Sequence, residues 1–331
     1  MTARQKSLFA LGAAAMGVVI GWAQWPEFYG GSGADDREQT VFRTEGGFSF
    51  RTGMRGSGTR VDEDTMSTAR EVGAHATDVP VWTNAPGFEK DAFTFCRTRY
   101  ISAWNPRRRF SSWGNWLTDF PDSDLNLSYR LQQMTSLKVD PDGRFLRLNN
   151  RDLYNYPWIY MVEPGGWILN EEEVKILRDY LLNGGFLMAD DFWGDLQWEN
   201  FHNQMKRVFP EPERDFVELP MDHPVFHMVF DIQVPKQQLQ TPNILQGIRS
   251  LQPGSSEYGI TWEARSNPGA EEMHVRAILD AKGRIMVIAT HNCDNGDGWE
   301  REGENDDFFH AFSEKRAFPL GINIIFYAMT H

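Results

Sequence analysis

The segment from residue 170 to residue 191 constrains the fold of this chain most. Asn170 and Glu173 have the spacing of a helix capping box, and Gly184 follows as a helix stop. Apolar residues recur between them at spacings of three and four: Val174, Leu177 and Leu181. A short apolar run, residues 186–189, then leads to Asp190 and Asp191. A helix followed by a buried strand that ends in carboxylates is typical of an α/β protein, in which ligands bind at the carboxyl ends of the strands.

Strand-like and helix-like segments alternate along the rest of the chain. The predicted strands are residues 92–100, 158–162, 186–189, 258–264, 274–280 and 284–290. The predicted helices are residues 124–137, 170–183, 196–208 and 320–329. This alternation predicts an α/β fold with a mostly parallel sheet and helices on both of its faces.

The N-terminal 90 residues differ from the rest. Basic residues followed by an uncharged run and by small residues at Gly21 and Ala23 predict a secretory signal over residues 1–23. If the signal is not cleaved, residues 8–23 anchor the protein in a membrane. Residues 24–90 are rich in glycine and lack a sustained period, which predicts a flexible linker before an α/β domain at residues 91–331. The protein is therefore expected to be exported, and either periplasmic or secreted.

Charge and cysteine content limit the classes of partner. The chain has 33 basic and 46 acidic side chains, a net charge of -13. Such a chain is unsuited to a nucleic-acid backbone, which requires clustered Lys and Arg. The two cysteines, Cys96 and Cys293, allow either one disulfide in an oxidising compartment or two buried free thiols.

Asp190 and Asp191 are the first candidate site. Two close carboxylates serve as an acid/base pair or as metal ligands, because each raises the pKa of the other. The alternative is that one of them caps the helix that begins near Asp195 while the other is solvated.

The second candidate site directly follows the strand at residues 284–290. It offers an imidazole, an amide, carboxylates and an indole: His291, Asn292, Asp294, Asp297, Trp299 and Glu300. Such an oxygen-rich loop is suited to a hard cation, although its spacing is not that of an EF-hand. The alternative is an Asx-turn loop in which Asp and Asn bind their own backbone.

Two smaller motifs complete the candidate residues. Trp116 and Asp119 are suited to stacking on and hydrogen bonding to a polar ligand such as a sugar, or they belong to an ordinary helix entry. His223 precedes Pro224, which holds it extended and able to point into a cleft, although a single histidine is more often structural.

Together these blocks resemble the bacterial family of unknown function DUF4159. The resemblance covers residues 91–331 and is carried by the runs 93–95, 119–121 with Trp116, 181–191, 222–226, 291–292 with 296–300, and 321–323 with 327–331. It implies a flavodoxin-like three-layer sandwich of the class I glutamine amidotransferase type, near the trehalose-utilisation proteins. In that fold a cysteine nucleophile follows a strand, whereas here the equivalent turn holds Asp190 and Asp191. The resemblance therefore does not imply glutamine hydrolysis.

Three hypotheses about function follow. The first is an exported protein that binds a small polar or carbohydrate-like ligand at the strand ends, with Asp190, Asp191 and His291 as the catalytic candidates. The second is a non-enzymatic module that binds an envelope protein partner. The third is a metal-dependent hydrolase that uses Asp190 and Asp191. The sequence identifies neither a particular cofactor nor a particular metal.

Overall fold

The computed structural model describes residues 40–44, 47–51, 60–61, 66–74, 79–87, 91–102, 115–263 and 268–331. The predicted signal at residues 1–23 lies outside the described residues, and the boundaries of the predicted linker stay a prediction. Two compact units are present, Met1–Thr65 and Met66–His331. The first contains an antiparallel sheet of three strands: β1 (Thr40–Thr44), β2 (Gly47–Arg51) and β3 (Arg60–Val61).

The second unit begins earlier in the chain than residue 91. Met66, Ala69 and Val72 are buried, and Ala69 N donates to Asp142 O at 2.9 Å. These apolar side chains and this backbone hydrogen bond join residues 66–72 to the α/β unit, although they lie within the stretch that the sequence predicts to be a linker.

The α/β unit is built on a sheet of seven strands. They are β4 (Cys96–Arg99), β5 (Arg144–Arg147), β6 (Trp158–Val162), β7 (Phe186–Asp190), β8 (Val217–Glu218), β9 (His274–Leu279) and β10 (Ile285–His291). Their order is β5-β4-β6-β7-β10-β9-β8. The pairs from β5 through β10 are parallel, and β10-β9 and β9-β8 are antiparallel. The predicted α/β fold with a mostly parallel sheet is confirmed.

Helices flank this sheet. They are α1 (Asp122–Met134), α2 (Glu171–Leu182), α3 (Gly194–Val208), α4 (Ile244–Leu251), α5 (Asn295–Glu300), α6 (Asp306–Phe308), the π-helix Phe309–Ala317 and α7 (Phe318–Thr330). Short 3-10 helices are Ala69–Glu71, Asn115–Leu117, Arg151–Asn155, Pro164–Gly166, Pro212–Arg214, Pro224–Phe226 and Lys236–Leu239. The architecture is a three-layer α/β sandwich of the flavodoxin-like kind.

The central strands do not alternate between polar and apolar residues, because the core covers both of their faces. Every residue of β6, β7 and β10 is buried, as expected of a parallel sheet covered on both faces. Trp158, Tyr160 and Met188 pack in one cluster with Leu127 of α1 and Leu320 of α7. The capping box of α2 forms as predicted, because Asn170 Oδ1 accepts from Glu173 N and Glu173 accepts from Asn170 N.

The prediction of a strand at residues 258–264 is wrong for the part that the structure describes. Residues 258–263 are turns and irregular backbone. Ile260 N donates to Glu257 O at 2.9 Å, and Gly259 N donates to Ser250 O at 2.9 Å. Because local acceptors bind these amides, the segment does not pair with a strand, in spite of its aromatic and β-branched residues.

Among the described residues, no helix combines the length and the apolar character needed to cross a membrane. Both cysteines are buried free thiols, which decides between the two alternatives that the sequence left open.

Candidate functional site: a carboxylate centre at the strand ends

Three parallel strands turn sharply at the same edge of the sheet. Glu163 follows β6 with φ 46°, Asp191 follows β7 with φ 55°, and Asn292 follows β10 with φ 62°. Asp119, which precedes α1, has φ 61°. These four are the non-glycine residues with positive φ in the described part of the chain. Strained backbone of this kind concentrates at functional sites, so this edge of the sheet is a candidate site.

Five acidic side chains meet there, and we refer to them as the carboxylate centre: Asp119, Asp191, Asp294, Asp297 and Glu300. Carboxylate oxygens of Asp119, Asp191 and Asp294 lie within 4.8 Å of one another, and so do oxygens of Asp119, Asp297 and Glu300. We refer to the group with Asp191 and Asp294 as the first half of the centre and to the group with Asp297 and Glu300 as the second half. Asp119 belongs to both halves. The sequence predicted all five as site residues, but not that Asp119 would join residues so far along the chain.

The start of α5 positions the acidic residues that follow β10. Asp294 is the N-cap of α5, and its Oδ1 accepts from Asp297 N at 2.7 Å. The backbone amide of Asp191 donates to Cys293 O at 3.0 Å, which joins the turn after β7 to the turn after β10. Residues 295–300 are thus a short capped helix, whereas the sequence predicted a loop.

Gly296 makes room for Asp119. A Cβ atom at Gly296 would overlap Asp119 Oδ2 and would lie 3.1 Å from the hydroxyl of Tyr160. The missing side chain thus lets the Asp119 carboxylate approach the start of α5.

Burial and mutual repulsion dominate the electrostatics of the centre. Burial raises the pKa of Asp191 well above its usual value, and the carboxylates of Glu163, Glu263 and Asp119 raise it further. The pKa values of Asp119 and Asp294 rise well above normal for the same two reasons. Burial also raises the pKa of Glu263 to about 7. A group of carboxylates in this environment is stable only if it holds protons or a cation.

The Asp119 carboxylate has an oxygen without a hydrogen-bond partner. Asp119 Oδ2 is buried, yet it accepts no hydrogen bond from the residues that the structure describes. Nearly all buried acceptors in native proteins are paired, and an exception points to an unseen water or ion.

Asp190 lies beside the centre but is fully hydrogen-bonded. Its carboxylate accepts from Thr290 Oγ1 at 2.5 Å, Asn295 Nδ2 at 2.8 Å, Tyr160 Oη at 3.1 Å and Gly296 N at 3.1 Å. Burial raises the pKa of Asp190 to about 6, and these hydrogen bonds oppose the rise. Asp190 therefore fixes the start of α5, and neither it nor Asp191 caps α3, whose N-cap is Trp193.

The structure places His291 away from the centre. Successive strand residues point to opposite faces, and Thr290 already faces Asp190, so His291 faces the other side of the sheet. Arg276 Nη1 donates to His291 Nδ1 at 3.3 Å, which leaves Nε2 to donate to Gly194 O at 3.1 Å. Burial, with a further contribution from Arg276, lowers the pKa of His291 to about 3. The ring is neutral and holds the start of α3.

Four other predicted site residues make structural contacts. Asn292 Oδ1 accepts from Gly194 N at 2.7 Å, Trp299 Nε1 donates to Ala317 O at 2.8 Å, and Trp116 is buried against Phe145. His223 caps the helix Pro224–Phe226, because its Nδ1 accepts from Val225 N at 3.2 Å. None of these four contacts involves a member of the carboxylate centre.

The site also holds three charged residues that were not among the predicted site residues. Glu163 directly follows the predicted strand 158–162, so the rule that identified Asp190 and Asp191 could have found it. Arg301 lies in the acidic loop already described. Glu263 has no sequence signal, because it reaches the centre from the segment whose strand prediction was wrong.

A cleft of about 820 Å³ lies elsewhere, near β8 and β9, and the carboxylate centre does not line it. Glu218, one of its lining residues, is paired: it accepts from Lys236, from His274 Nδ1 at 3.2 Å and from Arg276 Nε at 3.3 Å. Arg276 also covers the ring of Trp198 at 4.0 Å. The Glu218 carboxylate of the cleft thus has three cationic partners, whereas the acids of the carboxylate centre raise one another's pKa, so the carboxylate centre is the stronger candidate site.

The fold and the site together define a mostly parallel α/β protein with a buried carboxylate centre at the strand ends. The chain belongs to the family described as Domain of unknown function (DUF4159), whose model matches residues 108–329, more than half of the chain. A search of curated proteins finds no match.

Proposed function

We propose that this protein binds one divalent cation through Asp119, Asp191 and Asp294, and that the cation binds a small polar ligand at the strand ends. Two oxygens that bind one cation at about 2.4 Å lie at most about 4.8 Å apart. The three carboxylates meet this limit. All three donors are oxygens, which favours Mg²⁺, Mn²⁺ or Ca²⁺ over zinc.

The observation that carries this proposal is the lack of an ion pair at these three carboxylates. No Lys, Arg or His among the described residues forms an ion pair with Asp119, Asp191 or Asp294. Arg97 and Arg301 lower the pKa of Asp119 without contacting it, but burial and Asp297 outweigh them. Together with the unpaired Asp119 Oδ2, this leaves none of the three carboxylates with a cation in contact. Removing such charges from water costs several kcal/mol per ion unless a positive charge compensates them.

The coordination sphere also indicates what the cation does. Mg²⁺ and Ca²⁺ take six or more oxygens, so three carboxylates leave positions for water and for a ligand hydroxyl or carbonyl. A cation-bound water is the nucleophile of metal-assisted hydrolysis, which makes hydrolysis the reaction to test first. Asp190 is not a ligand in this proposal, because donors already surround its carboxylate.

The test is Mn²⁺ binding to chelator-treated protein, measured from the electron paramagnetic resonance signal of free Mn²⁺. We expect one ion per chain, and a loss of affinity of at least 10- to 100-fold in Asp191→Asn, since even outer-shell changes weaken metal sites by about that factor. Asp152→Asn is the matched control, because Asp152 is exposed and pairs only weakly with Arg144 at 3.5 Å. Wild-type protein without stoichiometric Mn²⁺, Mg²⁺ or Ca²⁺ binding would refute the proposal.

We also propose that the site works outside the cytoplasm, on the basis of the signal-like residues 1–23. Fractionation of the producing cells, with the N-terminus of the mature chain determined by mass spectrometry, tests this. A cytoplasmic protein that retains residue 1 would contradict it.

A further inference from the structure

We propose that Arg301 is a built-in cation that occupies the second half of the carboxylate centre and thereby limits the centre to one metal ion. This inference rests on the proposed function. It assigns Asp297 and Glu300 to an arginine site and gives Arg301 the role of setting the metal stoichiometry.

The contacts of Arg301 support this assignment. Its Nε lies 3.0 Å from Asp297 Oδ1 and 3.0 Å from Glu300 Oε2, and its Nη1 lies 3.4 Å from Glu304 Oε1. The second oxygen of Asp297 accepts from the backbone amide of Ile244. Both oxygens of Asp297 therefore have donors, and a metal ion bound there would lie next to the positively charged guanidinium of Arg301.

The first half of the centre differs in this respect. Asp191 Oδ1 accepts from Trp193 Nε1 at 2.8 Å, and Asp294 Oδ1 accepts from a backbone amide. These donors are neutral, so they leave the charge of each carboxylate uncompensated. Asp119 belongs to both halves, and its buried Oδ2 is unpaired. The metal ion should therefore bind in the half with Asp191 and Asp294.

The chemistry of the guanidinium explains why the two halves stay distinct. Arginine is protonated at every physiological pH and offers several donors in a rigid plane. A divalent cation bound next to it would be repelled, because charges of like sign interact strongly in a buried site. Without Arg301, the oxygens of Asp119, Asp297 and Glu300 keep the spacing that suits a second ion.

The first experiment counts ions in three arginine variants. Arg301→Gln should bind two Mn²⁺ ions per chain, with spin coupling that shows them to be close, whereas wild type and Arg301→Lys should bind one. Arg214→Gln is the matched control: it removes the same charge from a residue whose contacts are Glu211 and Phe209, and it should bind one ion. An Arg301→Gln protein that folds and still binds one ion would overturn the inference.

The second experiment uses wild-type protein and does not depend on the folding of a variant. Anomalous scattering from crystals grown with Mn²⁺ should show one peak bordered by Asp119, Asp191 and Asp294. A peak coordinated by Asp297 or Glu300 would overturn the inference and leave the proposed function standing. Wild-type protein that binds no ion would instead refute the proposed function.

Discussion

Asp190 and Asp191 are neighbours in sequence, yet their buried carboxylates have opposite surroundings. Four donors surround the Asp190 carboxylate, whereas the Asp191 carboxylate faces other acids and has one neutral donor, Trp193 Nε1. Protein donors satisfy the Asp190 carboxylate, which holds α5 in place. The Asp191 carboxylate requires a proton or a cation to offset the repulsion from the acids around it. The comparison indicates that the number and charge of the partners, rather than burial alone, distinguish a carboxylate that stabilises the fold from one that is a candidate ligand.

The largest expected effect tests the structural side of this comparison. Asp190→Ala removes the acceptor of four donors, and an orphaned buried donor costs about 1–3 kcal/mol. We expect the free energy of unfolding in urea to fall by at least about 3 kcal/mol, whether or not Mn²⁺ is present. A loss below about 1 kcal/mol would mean that Asp190 is not the anchor of α5.

The second prediction tests the functional side. A ligand at one hundred times its dissociation constant stabilises the folded state by about 2.7 kcal/mol. Mn²⁺ at that excess should stabilise wild-type protein by this amount, and the same Mn²⁺ concentration should have little effect on Asp294→Asn. Thermal unfolding with and without Mn²⁺ measures both. Equal stabilisation of the two proteins would place the metal ion elsewhere.

A third prediction uses two glycines of α5. Gly296→Ala places a methyl group against Asp119 Oδ2, while Gly298→Ala places one against the side chain of Ala317. Overpacking costs about 1–3 kcal/mol, so both variants should lose stability. Only Gly296→Ala should also weaken Mn²⁺ binding, because only it displaces a proposed ligand. Equal Mn²⁺ affinity in the two variants would argue against Asp119 as a ligand.

The smallest expected effect is a pH dependence of the metal-free protein. The pKa values of Asp190 and Glu263 are raised to about 6 and about 7 in the folded state, so the unfolded chain ionises these groups at lower pH. Their ionisation thus disfavours folding as pH rises through this window, and stability should increase from pH 7 to pH 5 by on the order of 1 kcal/mol. The pKa values of the proposed ligands Asp119, Asp191 and Asp294 are raised too, so saturating Mn²⁺ should remove their share of the dependence. A metal-free protein that loses stability steadily over that range would contradict the raised pKa values of these acids.

Below about pH 4 the sign reverses. The pKa values of Asp215 and Glu218 are lowered to about 2: burial opposes this shift, but hydrogen bonds from Lys206 and His202 to Asp215, and from His274 and Lys236 to Glu218, outweigh it. Such groups stabilise the folded state above their unfolded pKa and lose that contribution as pH falls. The stability of the metal-free protein should therefore be greatest near pH 5.

Local patterns in the sequence were sufficient to predict much of the fold. The capping box of α2, its apolar stripe and the run into β7 each depend on residues within four positions of one another, and all three are confirmed. The strands β9 and β10 and the helix α7 were predicted for the same reason. Strand β5 was missed because only Phe145 and Leu146 of its four residues are buried, which is too short a signal.

What the sequence alone determined is the α/β order of elements and the edge of the sheet where the acidic residues gather. Only the tertiary structure decided which of them meet. The left-handed backbone of Asp191 separates it from Asp190, and the alternation along β10 points His291 to the opposite face. Glu163 and Glu263 reach the centre from segments far apart in the chain. The reason is physical: periodicity records local geometry, whereas the meeting of charges depends on strand order, register and turns, which no short stretch of sequence contains.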